Sequence, residues 1–110
     1  MATTEETIRQ QLQSNPIILY MKGTPATPQC GFSARTVLAI QQTGVAFASV
    51  DVLANPFIRE KLPAISDWPT FPQLFVRGEL VGGCDIVTEL ARNGEPLPML
   101  RAAAEPKAAP

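Results

Sequence analysis

Histidine is absent from this chain of 110 residues. That removes Ser–His and Cys–His nucleophilic pairs and every imidazole-rich metal site from its own repertoire. Cysteine is scarce as well, with only two, Cys30 and Cys84. A metal centre that needs four thiolates or imidazoles cannot be completed by one copy of the chain. Neither sign of charge dominates: nine Lys and Arg stand against ten Asp and Glu, net −1, with no long basic run. Phosphate-based recognition of nucleic acid therefore has little electrostatic support. No apolar stretch approaches the ~20 residues needed to cross a bilayer. The first residues, Met1-Ala2-Thr3-Thr4-Glu5-Glu6, lack the basic and apolar regions of a signal peptide. The expectation is a cytoplasmic protein, bound to neither nucleic acid nor membrane, whose two cysteines are reduced thiols rather than a structural bridge.

What is present is the composition of one small globular domain: 45% hydrophobic residues in a length that suits a single core. Thr3 and Glu6 have capping-box spacing, and Ile8 and Leu12 share a helical face, so a short first helix is expected, ended by Asn15-Pro16. Ile17 to Met21 is a short, continuously apolar run and reads as a buried strand. The next eight residues, Lys22 to Gln29, hold Gly23, Pro25 and Pro28 and cannot be helical. Helical spacing then runs from Ala34 to Thr43 and closes at Gly44, and residues 45–51 read as a second strand. Strand, helix, strand implies a parallel pair with a crossover. Asn55-Pro56 is a cap followed by proline at the first helical position, with Pro63 expected at that helix's end. Residues 63–72 read as irregular. Gly78-Glu79 is expected to turn a hairpin between 73–77 and 80–82. Asp85 is a candidate cap for a last main helix stopped by Asn93-Gly94. The order is αβαβαββα, in one domain over 1–101. The Ala/Pro/Lys-rich tail, 102–110, is expected to be frayed or disordered.

The chemistry sits in Cys30-Gly31-Phe32-Ser33. A cysteine at the mouth of a helix faces unpaired N–H groups and the positive end of the helix dipole, and both favour thiolate. Lys22 offers a cation nearby. Without histidine, dipoles and cations are the only means of activation within the chain. Ser33 stands where a second thiol would close an internal disulfide, so Cys30 must finish its chemistry with a partner from outside the motif.

That element order with its helix-opening cysteine is the thioredoxin fold, an α/β architecture with a four-stranded mixed sheet flanked by helices. Within it the chain resembles the monothiol glutaredoxins of the Cys-Gly-Phe-Ser type, from about Ile8 to Leu100. The resemblance is carried by Met21-Lys22-Gly23-Thr24-Pro25, the Cys-Gly-Phe-Ser box, Asn55-Pro56 with Arg59, Trp68-Pro69-Thr70-Phe71-Pro72-Gln73 and Gly82-Gly83-Cys84-Asp85. It implies a glutathione site. Lys22 and Arg59 would meet the glycine carboxylate of the tripeptide through charge-assisted contacts; otherwise they are solvated surface charges. Thr70, Phe71 and Pro72 would form a cis-proline element that turns the Phe71 backbone toward the thiol, to pair with an extended peptide. Gly83, Cys84 and Asp85 would offer helix-start N–H groups to the γ-glutamyl end, with the Asp85 carboxylate near its ammonium. Asp85 also reads as a plain cap, Cys84 as a small buried hydrophobe or a second thiol, and Trp68 as packing or as ligand surface.

The family also implies a [2Fe-2S] cluster bridging a homodimer. Cys30 of each chain and two bound glutathiones would supply its four thiolates, for transfer to apo iron–sulfur proteins, and a BolA-like protein could replace one protomer. A rival count takes Cys30 and Cys84 from each of two chains without glutathione. A second function is enzymatic: Cys30 attacks a glutathionylated protein and a further glutathione releases it, with Ser33 a spectator. Arsenate reductase shares a Cys-Gly-X-Ser box followed by arginine, but Trp-Pro-Thr-Phe-Pro and Gly-Gly-Cys-Asp point to glutathione instead. One departure from the family pattern is Pro96 and Pro98, within 95–100, where relatives continue a helix.

Overall fold

The computed structural model describes residues 2–93. The expected tail, the proline-bearing segment 95–100 and the domain end at 101 lie outside the described residues. The elements run α1 (Thr4–Ser14), β1 (Ile17–Met21), α2 (Gly31–Gln41), β2 (Ala48–Asp51), α3 (Pro56–Ser66), β3 (Gln73–Val76), β4 (Glu79–Gly82) and α4 (Cys84–Arg92). The sheet order is β2-β1-β3-β4, with β1 and β2 parallel and β3 antiparallel to both β1 and β4. This is the expected mixed sheet of the thioredoxin fold.

β1 is central and buried along its whole length, because a strand covered on both faces needs apolar residues at every position. Its alternate residues feed two cores. Ile17, Leu19 and Met21 pack with Val37, Ile40 and Val87 of α2 and α4. Ile18 and Tyr20 pack with Ile8, Ile58, Leu62 and Phe75, on the α1 and α3 side. Thr3 caps α1 as expected, accepting the Glu6 N–H at 3.1 Å.

Several boundaries differ from the sequence reading. The second strand begins at Ala48, not residue 45: Val45 instead bonds the Thr43 hydroxyl, and β1 offers partners only from Ile18, opposite Ala48. Pro63 lies inside α3, which continues to Ser66. Proline removes one helical N–H donor there, but Ile58 and Leu62 anchor the helix in the core. Asp67, with φ 54°, closes it through the Trp68 N–H to the Pro63 carbonyl. The hairpin turns at Arg77 and Gly78, both at positive φ, so Glu79 already belongs to β4. Gly83, not Asp85, occupies the cap position of α4. Asp85 sits in the first turn, where its charge complements the helix dipole.

Candidate active site

Cys30 occupies the N-cap of α2, whose first residue, Gly31, lies three positions before the start expected at Ala34. The cap position leaves its sulfur free to face the first N–H groups of the helix. Its pKa is lowered, chiefly by the backbone N–H of Ser33. Desolvation, second in size, opposes it, and the Phe32 N–H, the Lys22 charge and the Ser33 hydroxyl each add a smaller lowering effect. The thiol is partly exposed, so a thiolate there is both favoured and reachable.

The connection from β1 to Cys30 is held rather than loose. The Lys22 N–H donates to the Ser33 hydroxyl at 3.1 Å, and the Gln29 N–H donates to the Lys22 carbonyl at 2.9 Å. The Gly23 N–H donates to Asp51 Oδ1 at 2.9 Å, an atom that also accepts the Leu53 N–H. Gly23 has φ +93°, and a Cβ there would lie 2.6 Å from the Thr27 carbonyl oxygen. Only glycine fits that position. Ser33, expected to be a spectator, is fully buried and ties Lys22 to α2.

Cys30 opens onto a groove of about 750 Å³, within the range of small-ligand sites. It is lined by Lys22 and Cys30 and by Arg59 and Pro63 of α3. Thr70, Phe71 and Pro72 line it as well, as do Gly83, Cys84 and Asp85 at the start of α4. All nine residues singled out in the sequence thus meet at one place. Trp68, Phe32 and Ile86 also line it. The Phe71-Pro72 bond is cis. Close packing fixes the α4 end: a Cβ on Gly83 would lie 3.2 Å from both the Pro72 carbonyl oxygen and Trp68 Nε1.

The groove is electrostatically open. Lys22, Arg59 and Asp85 have no ion-pair partner among the described residues. No side chain among the described residues caps α4, whose first helical hydrogen bond is Val87 N–H to the Gly83 carbonyl. The N–H groups of Cys84 and Asp85 are therefore free to meet an anion. Cys84 itself is only 7% exposed, so it contributes backbone to this surface more readily than sulfur. Asp51, Ser33 and Gln73 were not among the expected site residues. Ser33 and Gln73 stand inside the quoted motifs without an assigned role, and Asp51 has only its polarity at the end of an apolar run as a signal.

The family model named glutaredoxin matches residues 17–81. Glutaredoxin 4 of Escherichia coli K12 is 59% identical over 95 residues, 86% of this chain and 83% of that protein. A probable monothiol glutaredoxin, GrlA, of Legionella pneumophila is 66% identical over 84 residues, 76% of this chain and 94% of that protein. Among solved structures, reduced poplar apo GrxS14 superposes with a TM-score of 0.77 at 40% identity, covering 90% of this chain and 91% of that one. A buckwheat glutaredoxin–glutathione complex gives a TM-score of 0.79 at 26% identity, covering 91% and 89%.

Proposed function

The chain belongs to the glutaredoxin family, in its monothiol Cys-Gly-Phe-Ser branch, and on that footing we propose that it binds glutathione and, as a homodimer, carries a bridging [2Fe-2S] cluster for assembly into or transfer to apo-proteins. The observation that carries this reading is a single reachable, acidified thiol beside a groove with unpaired charges. Glutathione is an extended tripeptide with two carboxylates, one ammonium and one thiol. Lys22 and Arg59 suit its glycine carboxylate, the free N–H groups of Cys84 and Asp85 suit its γ-glutamyl carboxylate, and the Asp85 side chain suits its ammonium. The peptide's middle would lie along Phe71, where an extended main chain can pair as an added strand.

The donor set fits the cluster only when shared. Four thiolates are needed, and no group of three or more potential metal-ligating residues exists among the described residues of one chain. Cys30 supplies one donor per chain. The burial of Cys84 favours glutathione over Cys84 as the second. Such a cluster, held partly by a dissociable tripeptide, is cargo suited to being handed on. Residues of this chain would orient the tripeptide, hold Cys30 as thiolate and admit a second copy. Protein deglutathionylation draws on the same reachable Cys30, and its turnover should be weak beside cluster transfer.

The test is purification under anaerobic conditions, with an absorption spectrum and joint assay of iron and glutathione. About one iron and one glutathione per chain are expected, as a two-chain [2Fe-2S] species requires. Robust deglutathionylation by a preparation that takes up no cluster on anaerobic reconstitution would reverse the reading.

A further inference from the structure

Gln73 heads an apolar strand, yet its side chain is fully buried. It pairs with Tyr20 across the β1–β3 ladder. The two-residue period of a strand puts its side chain on the face of Phe75, toward α1 and α3, and opposite to Leu74. There its amide nitrogen donates to the Trp68 carbonyl at 2.9 Å and to the Thr70 carbonyl at 3.1 Å. Both hydrogens of the amide are thereby used, while Oε1 is buried with no partner among the described residues. An acceptor left in that condition is a cost to the fold. The two donated bonds are what the residue supplies in return.

Those bonds bracket the backbone that walls the groove. Phe71 makes no backbone hydrogen bond to another described residue, so its N–H and carbonyl are free for a ligand. Gln73 itself does not line the groove. We propose that Gln73 is a positioning residue: by tying the Trp68 and Thr70 carbonyls to the end of the sheet, its amide sets the path of residues 68–71 and presents the free Phe71 backbone to the main chain of glutathione. The effect reaches α4 as well, because a Cβ on Gly83 would meet the Pro72 carbonyl oxygen and the Trp68 ring. This inference rests on the glutathione reading above.

The experiment is calorimetric titration of glutathione into the reduced protein, below the melting temperature of every variant, with backbone amide spectra of Phe71 recorded alongside. Gln73→Met keeps length and removes both donors. Gln73→Asn keeps the amide but withdraws it by one methylene, and it decides the matter if the methionine variant does not fold. Ile8→Ala, in the same core layer but not in the groove wall, is the control for lost stability alone. Expected are roughly tenfold weaker binding in Gln73→Met, as for loss of about one net hydrogen bond, and a smaller loss in Gln73→Asn. The Phe71 amide should shift in both, while Ile8→Ala lowers Tm and leaves affinity unchanged. Wild-type affinity in both Gln73 variants overturns the positioning role. Absence of binding by the wild-type protein instead removes the glutathione reading, and this inference with it.

Discussion

Cys30 and Cys84 stand at the starts of two neighbouring helices and face the same groove, yet they are different chemical objects. Cys30 is the cap of α2, so its side chain can turn back toward the N–H groups of Phe32 and Ser33. Cys84 is already the first residue of α4, and its side chain is buried while its N–H stays at the groove. One residue gives sulfur and the other gives backbone. A helix start does not by itself make a nucleophile; the offset of one position decides which atom is presented.

Removing each sulfur in turn separates the two roles. Cys30→Ser should abolish rapid alkylation and all iron uptake, read by mass spectrometry and iron assay. Next in size is Gly23→Ala, which forces a Cβ against the Thr27 carbonyl at positive φ. It should cost about 2–3 kcal/mol in urea unfolding and loosen the arm that holds Lys22 beside Cys30. Lys22→Ala acts on charge alone. It should raise the Cys30 pKa, so the pH midpoint of alkylation moves upward, while Cys84 stays unreactive. The sign for stability follows from the same shift: a thiol whose pKa is lowered on folding contributes stability above its unfolded pKa, and that contribution fades as pH falls through the folded value. Arg59→Ala should weaken glutathione binding by about two- to fivefold, the scale of an exposed charge pair, in calorimetry at low salt. Cys84→Ser should be the mildest, leaving alkylation rate, glutathione affinity and iron content within about twofold.

Much of this was legible in the sequence because strong local signals agreed with one another. The apolar run Ile17–Met21 could only be a strand buried on both faces, and Thr3 with Glu6 marked the first helix start. Motif order named nine residues, and the groove brings all of them together. What was not legible depended on tertiary context. Pro63 looked like a helix end, but packing of Ile58 and Leu62 carries α3 through it. Val45 and Phe47 looked like strand residues, yet they pack against the core ahead of β2 without joining it. Ser33 and Gln73 gave no outward sign of their bonds, since a hydroxyl or an amide reveals its partner only once distant segments are folded beside it.

In the proposed cluster the second donor is the tripeptide and not Cys84. Anaerobic reconstitution with iron and sulfide tests it most directly, run with and without glutathione on the wild-type protein and on Cys84→Ser. Full cluster absorbance in both proteins only when glutathione is present is the predicted result. Full cluster without glutathione in the wild type, lost in Cys84→Ser, would contradict it.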